Sequence, residues 1–234
     1  MTETPSGNWG QIWVNLGCLS LMASLIALTG CGVAARRHNV LGREAFESGQ
    51  LSRAINEFQL ALQNDPRNSD AYHNLATTYW ALGRQANNSQ WVDQAEQLYR
   101  QSISLDPTNV DAHRSLAVLL AQTNRSQYAL DLLQGWQQRQ PNSPEPLVEL
   151  ARLQMEMGDM NRASNHLADA LRIDAYHPRA LRAMGFVRES QGQWAMALEN
   201  YSRSYQADSR QAELVPKMQA LQTRLATAPS GYRY

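Results

Sequence analysis

Apolar positions recur along most of this 234-residue chain at the three- and four-residue spacing that predicts amphipathic helices. From Ala35 onward the helices come in pairs, because apolar columns such as Leu41, Leu75, Leu116, Leu150 and Met184 return after 34, 41, 34 and 34 residues. The pattern predicts an all-α fold with an internal repeat of two helices per unit. The five predicted units are residues 35–68, 69–109, 110–143, 144–177 and 178–211.

Small residues recur at fixed places in each unit. One column on the first helix is Gly or Ala, and one on the second helix is always Ala, so the paired backbones can approach to about 8–10 Å. A Gly or Asn follows each first helix and is predicted to take the left-handed conformation that ends it. The columns are Gly42, Ala76, Ala117, Ala151 and Gly185; Ala54, Ala95, Ala129, Ala163 and Ala197; and Gly49, Gly83, Asn124, Gly158 and Gly192.

These columns, with a large residue four places after each alanine and prolines at Pro66, Pro107 and Pro141, resemble the tetratricopeptide repeat. The resemblance covers about residues 35–211 and implies a right-handed solenoid with a concave groove lined by the first helices. Stacked units bury a continuous apolar seam that no single unit could form. The candidate groove residues are Asn39, Arg43, His73, Asn74, Arg114, Arg152, Arg182 and Phe186.

Two departures from the pattern suggest local changes in packing. The second unit carries seven extra residues between Gly83 and Ala95, which would lengthen a helix or a loop on one rim, either as a tolerated insertion or as part of a binding rim. Trp136 stands where other units have Ala or Ser. We interpret it as repacking together with Leu120, and the alternative is an exposed binding tryptophan.

After the fifth unit, residues 212–226 place Leu214, Met218, Leu221 and Leu225 at helical spacing. This segment is predicted to be a helix that caps the open apolar face of the last unit. Residues 227–234 lack such a period and are predicted to form a flexible tail.

The N-terminal segment has a different character, with an uncharged apolar run at residues 12–30. The run ends in Leu-Thr-Gly-Cys, which resembles the lipobox of bacterial lipoproteins. The resemblance implies a signal peptide at residues 1–30, a lipidated Cys31 as the first mature residue, and a short linker at 31–34. The alternative is an uncleaved membrane helix. The absence of a basic residue before the run and the presence of Arg36 and Arg37 after it favour that alternative.

Charge and composition exclude several function classes. The 21 basic and 21 acidic residues cancel, so no long-range field attracts nucleic acid. The only cysteines are Cys18 and Cys31, which leaves the repeats without thiol chemistry. No phosphate loop, HExxH or GxSxG motif occurs, the five histidines are scattered, and the carboxylates of Glu145, Glu149 and Glu156 are predicted to form a solvated face. We expect no enzymatic activity, no cofactor, no metal site and no small-molecule substrate.

The sequence therefore predicts a non-enzymatic adaptor that binds protein partners in its groove. The lipid on Cys31 would hold it in a bacterial cell envelope, with the outer membrane and the periplasm as the expected location. The resemblance extends to lipoproteins that assist pilus, secretin or peptidoglycan complexes. The alternative function is a signal-anchored assembly factor with an uncleaved helix that faces the cytoplasm.

Overall fold

The computed structural model describes residues 32–227. In this range the chain forms eleven helices and no strand, which confirms the all-α prediction. The helices are α1 (residues 32–47), α2 (Leu51–Asn64), α3 (Ser69–Ala86), α4 (Ser89–Leu105), α5 (Val110–Gln122), α6 (Ser126–Arg139), α7 (Glu145–Glu156), α8 (Met160–Ile173), α9 (Pro178–Ser190), α10 (Trp194–Ala207) and α11 (Leu214–Thr227).

The predicted signal segment 1–30 and Cys31 lie outside the described residues, as does most of the predicted tail, residues 228–234. None of the helices within residues 32–227 combines the length and apolar character that crossing a membrane requires.

The described chain divides into two compact units, and the division falls inside α5, between Ala112 and His113. In the first unit α2 packs against α3, and α3 packs along α4. Its core contains Phe58 and Leu75 beside small residues of α1 and α2, with Tyr79 and Leu98 partly buried around them. The apolar stripe of each helix therefore meets the stripe of its neighbour in sequence.

In the second unit each helix from α6 to α10 packs against the helix that follows it, and α7 also contacts α9. The unit ends with α11, whose Leu214 and Leu221 are buried against Ala197 and Tyr201 of α10. Met218 packs against the same cluster. The helix thus covers an apolar face of α10 that would otherwise meet water.

The alanine column lies at the centre of the helix pairs. Ala54, Ala95, Ala129, Ala163 and Ala197 are all 0% exposed. Two positions of the preceding column are glycine, and both lack room for a methyl group. A Cβ at Gly42 would lie 2.5 Å from the ring of Phe58, and a Cβ at Gly185 would lie 2.7 Å from the ring of Tyr201. The small residues therefore set how closely the two helices of a unit approach.

Four residues of the predicted helix-ending column have positive φ, namely Gly49, Asn124, Gly158 and Gly192. The prediction is wrong for Gly83, which lies inside α3. The left-handed residue there is Asn87, with φ 49°, and it forms the C-cap of α3. Gly83 is small for another reason: a Cβ would come within 2.9 Å of Val92 on α4. Contact between the helices, rather than helix termination, requires glycine at this position.

The seven-residue insertion lengthens both helices of its unit. α3 has 18 residues and α4 has 17, whereas α5 has 13 and α6 has 14. Of the two structures predicted for the insertion, a longer helix is the one observed. Asn88 caps the start of α4 by accepting a hydrogen bond from the backbone N–H of Gln90 at 2.9 Å.

Trp136 is buried, so the repacking interpretation is confirmed and the exposed-tryptophan alternative is wrong. Its indole stacks on the ring of His113, with centroids 4.1 Å apart and planes 11° from parallel. Leu120, on the same helix as His113, is also buried. His113 itself is 0% exposed. An aromatic pair fills the space that smaller residues occupy in the other units.

Candidate functional site

The predicted groove residues of the first compact unit lie on α1 and α3. Asn74 donates a side-chain hydrogen bond to the amide oxygen of Asn39 at 2.9 Å, so the structure brings these two amides together. The ring of His73 contacts the ring of Tyr99, with centroids 5.7 Å apart. Arg43 is exposed on α1. This surface is polar and nearly uncharged, and Arg43 is the charged group among these predicted residues.

Two predicted residues of the second compact unit, Arg114 and Arg152, converge on Glu149 of α7, whose carboxylate is completely buried. Arg114 of α5 donates to Glu149 Oε1 at 2.9 Å, and Arg152 of α7 donates to Oε2 at 2.9 Å. Arg179 of α9 also pairs with Oε1. One carboxylate thus joins three helices through three guanidinium groups, which corrects the prediction that Glu149 belongs to a solvated acidic face.

Two more carboxylates of α7, about one turn before Glu149 and about two turns after it, extend this network. Glu145 accepts hydrogen bonds from Arg179 at 2.7 Å and from Nε2 of His177 at 3.1 Å, and Glu156 pairs with Arg152. His177 is also the N-cap of α9, because its Nδ1 accepts from the backbone N–H of Ala180 at 3.1 Å. Since Nδ1 is the acceptor, the ring proton lies on Nε2 and points at Glu145.

The network keeps the carboxylates of Glu145 and Glu149 ionised. Burial alone would raise the pKa of Glu149, but the charges of Arg114 and Arg179, with hydrogen bonds from Arg152 and Arg114, outweigh it and lower that pKa. At Glu145 the hydrogen bond from His177 is the largest cause of a lowered pKa. Burial opposes that shift, and the charge of Arg179 adds to it. Arg114 and Arg152 are therefore bound to carboxylates of their own chain.

A cavity of about 320 Å³ lies beside this network, between α7, α9, α10 and α11. Met155 and Val148 of α7, Phe186 of α9 and Leu214 of α11 form its apolar lining. Phe186 is 44% exposed, which is unusual for a ring of this size next to a core. The predicted residues Arg152, Arg182 and Phe186 therefore share one cavity.

Two further charged groups stand at this cavity. Arg182 pairs with Glu213 at 3.0 Å, and both side chains are about half exposed, at 44% and 58%. Lys217 Nζ lies 5.9 Å from the ring centroid of Phe186 and 5.6 Å from that of Tyr201. Both distances are within the range of a cation–π contact. The sequence-based prediction missed Lys217, although it is the only lysine of the chain and follows Pro216 at the start of α11.

Tyr201 forms the back of the cavity and is positioned by two contacts. Its ring packs against the backbone of Gly185, and its hydroxyl donates to Glu189 Oε2 at 2.8 Å. Burial, followed by this hydrogen bond, raises the pKa of Tyr201 well above its ordinary value. The hydroxyl is therefore a fixed neutral donor, and the buried ring is a fixed support behind the cavity. Within residues 32–227 no group of three or more acidic, histidine or cysteine side chains is arranged to hold a metal ion.

Profiles of tetratricopeptide repeat families match three overlapping stretches, residues 42–83, 69–109 and 92–146. No curated protein matches the sequence. Among solved structures, the chain resembles TTC0263, a thermophilic TPR protein of Thermus thermophilus, with TM-score 0.60 and 19% identity over 81% of this chain and 100% of the other.

The chain also resembles PilF of Pseudomonas aeruginosa, with TM-score 0.55 and 19% identity over 85% of this chain and 89% of the other. A third similar structure is the Cut9–Hcn1 hetero-tetramer of the APC/C, with TM-score 0.56 and 17% identity over 82% of this chain and 37% of the other. At these identities the likeness shows the fold. The fold is an all-α tetratricopeptide-repeat solenoid, and the matches to tetratricopeptide-repeat families together span residues 42–146.

The buried network predicts a specific loss of stability. Replacing Glu149 with Gln should destabilise the protein by about 3 kcal/mol, the low end for breaking a buried ion pair, because the arginines are a quarter to a third exposed. The matched change Glu156→Gln, on a side chain that is 49% exposed, should cost less than about 1 kcal/mol. Urea denaturation of both variants measures the difference, and equal losses would contradict a structural role for Glu149.

The same variants test the pH dependence. Because the fold lowers the pKa of Glu145 and Glu149 below the ordinary 4.5, their contribution to stability is complete above that pH and is lost as pH falls below it. The free energy of unfolding should therefore decrease less steeply below pH 4.5 in Glu149→Gln than in the wild type.

Proposed function

We propose that this protein is a non-enzymatic adaptor that binds protein partners on the first-helix side of its repeats. The cavity beside Phe186 is the observation that carries this proposal, because it combines a half-exposed aromatic ring, an apolar lining and cationic side chains. Interfaces typically place aromatic and arginine side chains at their most buried points. Tetratricopeptide-repeat proteins generally act as scaffolds for other proteins, which supports the same class of function.

The predicted groove residues divide into two classes in this proposal. Arg114 and Arg152 are bound to Glu149. We therefore propose that they determine the shape and charge of the surface and do not contact a partner directly. Phe186, Arg182 and Arg43 keep exposed surface and are the residues that we propose to contact a partner. Asn39, His73 and Asn74 add polar groups on α1 and α3.

We further propose that the protein is anchored in a bacterial cell envelope by a lipid on Cys31, most simply at the outer membrane facing the periplasm. Leu-Thr-Gly-Cys at the end of the apolar run is the support for this anchor. An uncleaved signal anchor with the repeats in the cytoplasm is the second candidate, favoured by Arg36 and Arg37 after the run. Assistance to a pilus, secretin or peptidoglycan complex fits the first arrangement.

Site-specific cross-linking tests partner binding. A photoreactive phenylalanine analogue placed at Phe186 should form adducts with a discrete envelope protein when the full chain is illuminated in its host. The matched position is Tyr128 of α6, an aromatic residue that is 64% exposed on a second helix. Adducts of the same protein from both positions in equal yield would contradict recognition on the first-helix side.

Mass spectrometry of the purified N-terminus tests the anchor. We expect a chain that begins at Cys31 and carries a diacylglyceryl group. A chain that begins at residue 1, or an unmodified Cys31, would contradict lipidation and favour the signal-anchored alternative.

A further inference from the structure

The cavity between α7, α9, α10 and α11 combines an apolar floor with a cationic rim, and this combination defines what it can bind. At about 320 Å³ it lies at the lower end of the range for ligand pockets, about 300–1,000 Å³. It can therefore take one or two large side chains, not a folded element. Phe186 presents ring surface to the cavity, Tyr201 lies buried behind it, and Met155 supplies an adaptable apolar wall.

Most of the charges near the cavity are already balanced. Arg114, Arg152 and Arg179 are paired with Glu145, Glu149 and Glu156. Arg182 is paired with Glu213. Lys217 is different: among residues 32–227 no carboxylate forms an ion pair with it, and its neighbours are two aromatic rings. Lys217 is therefore the one cation lining the cavity that has no ion-pair partner, and it is held next to apolar surface.

Arg182 is a further donor available to an incoming carboxylate. The Arg182–Glu213 pair is exposed on both sides, so it contributes little and Glu213 can be displaced at small cost.

We propose that this cavity binds a segment of a protein partner in which a carboxylate side chain stands next to one or two large apolar side chains. The apolar side chains would lie on Phe186 and Met155, and the carboxylate would pair with Lys217 and then with Arg182. This proposal rests on the proposed adaptor function, because it names the chemistry of the partner at the same site.

A peptide carboxylate fits the site better than a phosphate or an anionic lipid headgroup. A dianion needs several unpaired donors, whereas Lys217 is the single unpaired cation among those lining the cavity. Glu213 would also repel a double negative charge more strongly than a single one. The apolar floor would remain uncovered under a headgroup, but a Leu or Phe side chain would fill it.

The single lysine gives this proposal a direct probe. Reductive methylation with ¹³C-formaldehyde labels Lys217 and the α-amino group and preserves the positive charge of both. The probe is the peptide acetyl-Ser-Asp-Leu-Phe-Ser-amide, added to the full-length labelled protein in detergent. Two control peptides replace Asp with Asn, or replace Leu-Phe with Ser-Ser. We expect the probe to shift the Lys217 dimethylamine resonance saturably, and each control to bind at least about threefold more weakly.

Variants measured by calorimetry complete the test. Lys217→Gln should weaken binding of the probe by about three- to tenfold, which is the range for a partly shielded ion pair. Phe186→Ala should weaken it by about tenfold or more, as expected for an aromatic anchor. The matched control is Arg224→Gln, which removes the other cation that α11 places over an aromatic ring, at Trp194, 3.9 Å from its centroid and away from the cavity. Arg224→Gln should leave binding unchanged.

Three outcomes would overturn the proposal. They are the absence of any saturable shift, equal binding of the Asp and Asn peptides, and a shift caused by phosphatidylglycerol vesicles but not by the peptide. If cross-links from Phe186 to a partner persist while the peptide fails, the adaptor function survives and the proposed partner chemistry is wrong. If the peptide binds but no cross-link forms from Phe186, the cavity accepts such a segment, but the proposed adaptor function, and with it a protein partner at this site, is wrong.

Discussion

The close approach of paired helices at small residues is the constraint on which the rest of this structure depends. Five alanines at the centres of the second helices are fully buried, and at Gly42 and Gly185 even a methyl group would collide with an aromatic ring. Because the backbones come so close, large residues such as Phe58 and Tyr201 can fill the space beside them. The columns of small and large residues therefore have a common cause, which is dense packing within each helix pair.

The close approach of paired helices also determines the shape of the cavity. Gly185 allows the ring of Tyr201 to lie against α9, where it becomes the rear wall beside Phe186. The network around Glu149 links α5, α7 and α9 and neutralises the arginines on that side. What remains for a partner is a small apolar site lined by one cation, Lys217, that has no ion-pair partner among the described residues. Packing determines the shape of the site, and internal pairing determines its charge.

The sequence predicted the fold well because small residues, large residues and helix ends recur at fixed spacing. Each of these positions has a steric role that is the same in every repeat, so the repetition makes the role visible in a single sequence. It failed where a residue acts through a contact that does not repeat. Gly83 was interpreted as a helix end because of its column, but it is needed for contact with Val92, and Asn87 ends the helix. The stacking of Trp136 on His113 occurs in one unit alone.

The candidate site was predicted only in part for a related reason. Helical periodicity placed Arg114, Arg152 and Arg182 on first helices, but it does not reveal which carboxylate each one meets. Glu149 was therefore expected in solvent, although three arginines surround it in the fold. Lys217 lies on α11, outside the repeat, so no column drew attention to it. Its position over two rings depends on how α11 packs on α10.

The most direct test of this account makes the same substitution, glycine to alanine, at two helical glycines of the second compact unit. Gly135→Ala on α6 meets only the end of the Arg139 side chain at 3.4 Å, so alanine should stabilise the protein by about 0.5–1 kcal/mol through helix propensity. Gly185→Ala should cost about 1–3 kcal/mol by overpacking against Tyr201, which exceeds that gain. Urea denaturation should show opposite signs. Stabilisation by both substitutions would contradict the claim that close packing at small residues sets this fold.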